Sequence, residues 1–276
     1  MNRAPILVLG GRGKTGRRVA ARLRDLGAPV RAASRSTGTR FDYGDPETWG
    51  PALEGAGAVY LVPMVEYVDP AHVVAFARRA GREGVRRIVL LSARGEGGGA
   101  HPHQEPVETA VREAAPEWTI LRAAWFAQNF SEDFLLPPVL AGELALPAGE
   151  GREAFVDAGD IADVAAAALT GDGHAGRVYE LTGPEALSFR AAASLISEAS
   201  GREVRYTPLD RAAFVDLASR QGHPGEIART IADLMDSVAR NAGAPVSGDV
   251  ERVLGRSPRS FAEYVKEAAA SGVWNL

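Results

Sequence analysis

"VLGGRGKTGRRVA", residues 8–20, carries two phosphate-binding patterns at once. Gly13-Lys14-Thr15 matches the close of a nucleotide-triphosphatase P-loop. Gly11-x-Gly13-x-x-Gly16, or equally Gly10-x-x-Gly13-x-x-Gly16, matches a dinucleotide fingerprint. A P-loop needs a glycine five residues before the glycine of its Gly-Lys-Thr, because the wide loop wraps a β-phosphate. That position is Val8, inside an apolar run, and no aspartate closes the later apolar strands as a magnesium partner. The dinucleotide pattern fits its surroundings. The glycines follow the strand-like "ILVLG" (6–10) and open a helical pattern with Val19, Leu23 and Leu26 on one face and Gly27 at its end. Missing Cβ atoms let the backbone approach a pyrophosphate, and the helix N-terminus supplies N–H donors and positive potential.

The end of the second strand reads the ribose. An NAD site usually places Asp or Glu there to bind the 2′-hydroxyl. Residues 32–36 read "AASRS": Arg35 stands between Ser34 and Ser36, with no acid. Arg12 and Lys14 add positive charge from the glycine loop, and arginine matches a 2′-phosphate in shape and charge. NADP(H) is therefore the expected cofactor. Thr15 and Ser36 complete the set of cofactor-binding residues expected here.

Outward from this stretch, apolar runs alternate with helical patterns, the signature of βαβ units and a parallel sheet. "PVRAAS" (29–34), "AVYLVPM" (58–64), "RRIVLLSA" (86–93) and "WTILRAAWF" (118–126) read as strands buried on both faces. "AHVVAFARRA" (71–80) reads as a helix, and Asp45-Pro46 opens a short one. Farther on, "DIADVAAAALT" (160–170) reads as a helix capped by Asp160 and "RVYELTG" (177–183) as a strand. Beyond 187 the pattern is mainly helical, and Ile227, Ile231, Leu234, Met235 and Val238 mark an amphipathic helix. The expected fold is α/β, a Rossmann doubly wound parallel sheet with a smaller, mostly helical C-terminal lobe. The expected division is 1–155 for dinucleotide binding and 156–276 for a substrate lobe partly interleaved with the sheet. "RGEGGGAHPH" (94–103) reads as a flexible loop after a strand, where open α/β sheets bind ligands.

Composition narrows the chemistry. A formal net charge of −4 argues against a nucleic-acid surface. The absence of cysteine excludes disulfides, thiolate metal sites and thiol catalysis. No run of about 18 apolar residues is present to span a bilayer, and no signal peptide is recognisable, so a cytoplasmic location is expected. No metal site is expected, since His101 and His103 lack a third ligand at a recognisable spacing.

Taken in order, "VLGGRGKTGRRVAARL", "RAASRS", "FDYGDPETW", "VLLSA", "WTILRAAWFAQNF", "AFVDAGDIADVAAAAL" and "VYELTGPEALSF" resemble the NmrA-like branch of the atypical short-chain dehydrogenases. Within it they are similar to the ergot-alkaloid reductases of the festuclavine and agroclavine dehydrogenase type. The resemblance covers nearly the whole chain. It implies a Rossmann domain, a small substrate lobe and NADPH as preferred dinucleotide. The branch holds quinone, imine and enone reductases as well as catalytically silent redox sensors. It puts Gly10, Gly13 and Gly16 at the pyrophosphate, Arg35 at the 2′-phosphate and Asp42 near the adenine. It sets Val62-Pro63 and Ser92-Ala93 beside the ribose and nicotinamide, with Trp125, Phe126 and Asn129 on the substrate side.

The usual acid of short-chain dehydrogenases is a Tyr whose pKa is lowered by a Lys four residues later. The chain has two lysines, and at that spacing Lys14 follows Gly10 and Lys266 follows Ala262. Ordinary ketone reduction is therefore not expected. An iminium carbon is already electron-poor, and a quinone can take its proton from solvent, so positioning could carry most of the catalysis. His103 and Glu108 are the candidate catalytic residues, flanking Pro106 at a helix start. In quinone-reductase relatives a His and a Glu sit four apart here; in this chain that His position is Gln104. Tyr67 is a candidate to stack on nicotinamide or substrate. The expected function is NADPH-dependent reduction of a small flat imine, iminium, quinone or enone, with homodimerisation open. An NADP(H)-sensing regulator without turnover is the alternative.

Overall fold

The structure is a computed structural model and describes residues 4–63, 69–222 and 224–275. The chain runs β1 (Ile6–Leu9), α1 (Lys14–Asp25), β2 (Val30–Ser34), β3 (Thr39–Arg40), α2 (Trp49–Leu53), β4 (Ala58–Leu61) and α3 (Pro70–Arg82). It continues through β5 (Arg87–Ala93), α4 (Glu105–Ala114), β6 (Glu117–Ala123), α5 (Asn129–Glu132), α6 (Leu136–Ala141), β7 (Glu143–Leu146) and β8 (Arg152–Glu153). Next come α7 (Ala158–Thr170), β9 (Arg177–Leu181), β10 (Leu187–Ser188), α8 (Phe189–Ser200) and β11 (Arg205–Pro208). Helices α9 (Arg211–Arg220), α10 (Gly225–Ala239), α11 (Asp249–Leu254) and α12 (Phe261–Ala270) complete it.

Seven strands form one parallel sheet in the order β3-β2-β1-β4-β5-β6-β9. Both neighbours of β1 start new directions: the chain goes outward through β2 and β3, then crosses back to β4. Such a reversal opens a crevice beyond the carboxyl ends of β1 and β4. The four residues of β1 and the four of β4 are all buried, as a sheet covered on both faces requires. On one face Leu7, Leu9, Val59 and Leu61 pack with Phe76, Val107, Val111 and the Phe41–Tyr43–Trp49 group. Phe76 meets Phe41, Tyr43 and Trp49 edge-on, with ring centroids 4.9–5.8 Å apart.

The chain folds into two compact units. The first holds residues 1–123, 158–181 and 248–257; the second holds 124–157, 182–247 and 258–276. Residues 158–181, which a division near 155 assigns to the small lobe, thus belong with the sheet. The reason lies in two elements. β9 pairs with β6 to become the seventh strand, and the alanine-rich α7 lies against α1, tied by Arg22 to Asp163 at 3.0 Å. Asp160 is not the cap of α7: it lies in the first turn, fully buried, and takes the Arg256 guanidinium at 2.7 Å.

The second unit is mostly helical, as expected, with α5, α6, α8, α9, α10 and α12. It carries two small pairs, β7 with β11 in parallel and β8 with β10 antiparallel. Its core gathers Phe130, Phe155, Phe189 and Phe261 around Met235 and Trp274. The Trp274 indole N–H donates to the Phe130 carbonyl at 3.0 Å. The amphipathic pattern near 227–238 forms α10, whose Ala228, Ala232, Met235 and Val238 are buried.

Candidate functional site

The glycine turn joins β1 to α1 in the first unit. Gly10 is left-handed, with φ +62°, and its carbonyl accepts the Gly13 N–H at 2.7 Å. A Cβ on Gly16 would lie 2.2 Å from the Gly10 carbonyl oxygen and 2.8 Å from that of Leu9. A Cβ on Gly11 would reach Ala32 at 2.9 Å. The three requirements differ: Gly10 supplies a backbone angle, Gly11 its closeness to β2, Gly16 the approach of helix to strand. Gly13 is the N-cap of α1, where no side chain caps the helix and no acid occupies the first turn. An anion therefore meets positive helix-end potential without competition from a carboxylate.

At the end of β2 the turn is built by hydroxyls. The Ser34 N–H donates to Thr37 Oγ1 at 2.8 Å and the Ser36 N–H to Ser34 Oγ at 3.3 Å. Arg12 reaches back from the glycine loop to Ser36 Oγ at 3.5 Å. Arg35 is exposed beside them, and among the described residues no acid pairs with it. Arg12, Arg35 and Ser36 thus form a cationic, hydroxyl-bearing rim. Lys14 heads α1 and is half-buried.

Other predicted positions lie nearby in the first unit. Thr15 is buried with its hydroxyl beside the Tyr60 phenol, which burial holds above the ordinary tyrosine range. Asp42 accepts the Gly44 N–H at 2.9 Å in a tight turn, and its carbonyl takes the Trp49 indole N–H at 2.9 Å. Tyr43, buried and likewise raised by burial, donates its hydroxyl to the Val62 carbonyl at 2.9 Å. That bond holds Val62-Pro63 at the end of β4.

Ser92 and Glu108, two further predicted positions, meet at the carboxyl end of β5 and the start of α4. Ser92 Oγ donates to Glu108 Oε1 at 2.8 Å. Arg122 on β6, the register partner of Ser92, donates Nε to Oε1 at 3.0 Å and Nη2 to Oε2 at 2.9 Å. Arg112 adds a fourth bond to Oε2 at 2.9 Å. Burial pushes the Glu108 carboxyl up, but the Arg122 and Ser92 hydrogen bonds and the two guanidinium charges outweigh it, leaving the group below its ordinary value. A carboxylate has about four lone-pair positions, and all are taken. The predicted catalytic candidate Glu108 is thus an anion held on all sides by Ser92, Arg112 and Arg122.

His103 is exposed on the loop before α4, and its ring stacks on His101 with centroids 5.3 Å apart. The loop read as flexible is pinned at its base: Arg94 bridges Ala100, and the Gly95 N–H donates to the Gly99 carbonyl at 2.9 Å. A Cβ on Gly95 would strike the Ala100 carbonyl at 2.6 Å, which explains one of its glycines. Tyr67 lies outside the described residues.

Trp125, Phe126 and Asn129 belong to the second unit. Trp125 lies edge-on to Phe134 at 6.0 Å and to Phe189 at 6.4 Å. Phe126 bridges Val156, and the Asn129 N–H closes a turn onto the Phe126 carbonyl at 3.1 Å.

Sequence reasoning missed three charges in the sheet. Arg94, with its side chain 7% exposed, pairs with Glu180 at 3.0 Å, and Arg122 stands beside Glu180 in register. The signal was available in Arg122, a charge inside the apolar run "WTILRAAWF". Gln104, which stands at the His position of quinone-reductase relatives, is buried with its carboxamide. It is 5% exposed, and among the described residues no donor reaches its Oε1. Such an unmet buried acceptor costs about 1–3 kcal/mol.

No protein-family model matches the chain. Whole-length relatives do. An uncharacterized oxidoreductase of Bacillus subtilis, YesF, is 37% identical, spanning 98% of this chain and 97% of its own. A festuclavine dehydrogenase of Aspergillus fumigatus is 32% identical over 96% of this chain and 98% of its own. The crystal structure of an NADPH-dependent quinone oxidoreductase of Escherichia coli, complexed with NADPH, superposes with a TM-score of 0.82. It is 24% identical and covers 95% of this chain and 99% of that one, a likeness of fold. With the glycine turn, the crevice at β1 and β4 and these relatives together, the chain belongs to the oxidoreductase family that includes the festuclavine and agroclavine dehydrogenases, and it shares its fold with NmrA.

Proposed function

We propose that the first unit binds NADP(H) and that the chain is an NADPH-dependent reductase of small, flat organic molecules. Imine, iminium and quinone substrates come first and conjugated enones second. The observation that carries the cofactor is the acid-free end of β2, where Arg12 reaches Ser36 at 3.5 Å and Arg35 stands exposed beside them. A 2′-phosphate is favoured by this rim and a bare 2′-hydroxyl has no carboxylate to bind. The glycine turn fits the pyrophosphate, since it is tight and presents the N-terminus of α1 with no side-chain cap and no acid in its first turn. Asp42, Val62-Pro63 and Ser92 are the residues we assign to the adenosine and nicotinamide walls. The E. coli structure that shares this fold was solved with NADPH, which supports the same reading.

Bound there, the dinucleotide supplies a hydride. The protein's part is to orient and to exclude water. No Tyr–Lys pair supplies a proton, because neither lysine has a tyrosine four residues before it. Ser92 does not substitute, since its own proton is committed to Glu108 at 2.8 Å. Substrates that need no concerted proton are therefore the ones this site suits.

The test is anaerobic stopped-flow of NADPH-loaded protein against a panel of quinones, enones, imines and simple ketones. Oxidation of NADPH by the first three classes and not by ketones is expected. Tight NADP(H) binding with no turnover of any class sinks the enzyme reading and leaves a sensor.

A further inference from the structure

Phe134, between α5 and α6, stands 36% exposed. It is not loose there. Its N–H donates to Asp133 Oδ1 at 2.9 Å, and the Leu136 N–H closes a turn onto the Asp133 carbonyl at 2.8 Å. The next residue, Leu135, is fully buried. An anchored turn thus holds an aromatic ring out at the surface.

Trp125 meets that ring. Their centroids lie 6.0 Å apart with the planes at 68°, and Trp125 is also edge-on to the fully buried Phe189 at 6.4 Å. The Trp125 carbonyl takes the Val156 N–H at 2.8 Å. Half-buried itself, Trp125 runs from the core to the surface and forms with Phe134 an accessible aromatic corner. The chain leaves β6 at Ala123 and reaches Trp125 two residues later, at most about 7 Å away. In a parallel sheet that carboxyl edge is where ligands bind.

The charge around the corner has a sign. Glu132 and Asp133 directly precede Phe134. The second unit holds 16 Asp and Glu against 10 Arg and Lys, a formal −6, while the first holds 19 against 21, a formal +2. The positive unit suits an anionic dinucleotide and the negative one an organic cation. Aromatic rings add to this, because the negative face of their quadrupole attracts cations.

We infer, resting on the reductase reading above, that the Trp125–Phe134 corner seats the substrate and selects flat organic cations over neutral molecules of the same shape. For an iminium, hydride forms the new C–H bond with both its electrons, and the π pair of C=N moves to nitrogen and cancels its charge. NADPH is oxidised to NADP+, and no added proton is needed. The corner bonds the charged ground state more strongly than the neutralising transition state, so its contribution lies in Kd and KM rather than in kcat.

The experiment compares the full-length wild type with Phe134→Leu and Phe134→Trp. The probes are the N-methylated dihydroisoquinolinium cation and the neutral dihydronaphthalene of the same shape. Calorimetric Kd values for the NADP+ complex, where no turnover occurs, are paired with kinetics of the cation with NADPH. Wild type binds the cation more tightly than the hydrocarbon, and added salt narrows the margin. In Phe134→Leu, Kd and KM for the cation rise about 3- to 30-fold, while Kd for the hydrocarbon and for NADPH stays within about twofold. Phe134→Trp keeps an aromatic face and the preference, a safeguard should the Leu variant not fold. Equal losses for both probes make Phe134 a general apolar contact and overturn the inference, as does no loss for either. A wild-type dimer that Phe134→Leu dissociates assigns the ring to an interface between copies and also overturns it. Quinone turnover without cation binding overturns it while the reductase reading stands. Cation-selective binding that Phe134→Leu abolishes, with no turnover of any class, sinks the reductase reading and leaves the cation site.

Discussion

The Glu108 carboxylate and the Arg122 guanidinium meet as a two-pronged pair, with bonds of 3.0 and 2.9 Å between residues fourteen apart in sequence. The pair joins α4 to β6 under Ser92. Burial makes each charge depend on the other. Arg122 is held above its ordinary value, first by the Glu108 hydrogen bond. Glu108→Ala leaves Arg122 and Arg112 facing a void, and breaking a buried pair from one side costs roughly 3 kcal/mol. Urea unfolding of the variant checks this. A loss below about 1 kcal/mol, the range of a surface pair, places the network in water rather than in the core.

The same pair sets a pH signature. Although burial raises it, the folded Glu108 pKa lies below the ordinary carboxylate value of about 4.3, held there by Arg122, Ser92 and Arg112. Its stabilisation is therefore fully present above that value and is lost as pH falls through the folded pKa. The stability gap between wild type and Glu108→Gln is flat above about pH 5 and closes in the acid range below about 4.3. Denaturant melts at pH 7, 5, 4 and 3 measure it. A gap that widens on acidification reverses the sign and refutes the assignment.

Gly16 and Gly10 do not respond alike to alanine. At Gly16 the added Cβ lies 2.2 Å from a backbone oxygen, and neither helix nor strand can give way cheaply. Gly16→Ala abolishes NADPH binding and lowers the melting temperature. At Gly10 the nearest atoms are 4.0 Å away, and only the positive φ is strained, a penalty of about 1–2 kcal/mol. Gly10→Ala keeps the fold with a smaller loss. NADPH fluorescence titration together with thermal melts ranks the two; the reverse order is incompatible with this turn.

Arg35→Ala tests the cofactor rim. Arg35 is exposed and unpaired with any acid among the described residues, so its removal leaves the fold as it is. Affinity for NADPH falls about 10- to 100-fold while affinity for NADH changes little. Equal losses for both dinucleotides remove the 2′-phosphate from this position.

Loss of the Tyr43 hydroxyl is the mild counterpart. Tyr43→Phe deletes the bond to the Val62 carbonyl at 2.9 Å and leaves a buried acceptor, costing about 1 kcal/mol. Stability falls by that amount, and Kd for NADPH rises through the freed Val62-Pro63 wall. Unchanged Kd for NADPH separates that wall from the cofactor.

The sequence by itself determined the cradle. Glycine spacing, the strand before it and the helix after it are local, and Val8 alone rules out a P-loop. The acid-free end of β2 and the absence of a Tyr–Lys pair were equally plain, because each depends on residue identity at short range. Strand identities in the sheet were legible for the same reason: burial on both faces leaves continuous apolar runs.

Only the tertiary structure decided the rest. That β9 and α7 complete the first unit depends on pairing across 50 residues or so of intervening chain, which periodicity does not encode. Four small strands of the second unit, of two to four residues each, fell below any periodic signal. Whether Glu108 is a free acid or a spent one depends on Ser92, Arg112 and Arg122 converging on it from two strands and a helix turn. In each case the deciding quantity was an environment, assembled from distant residues, that no single stretch contains.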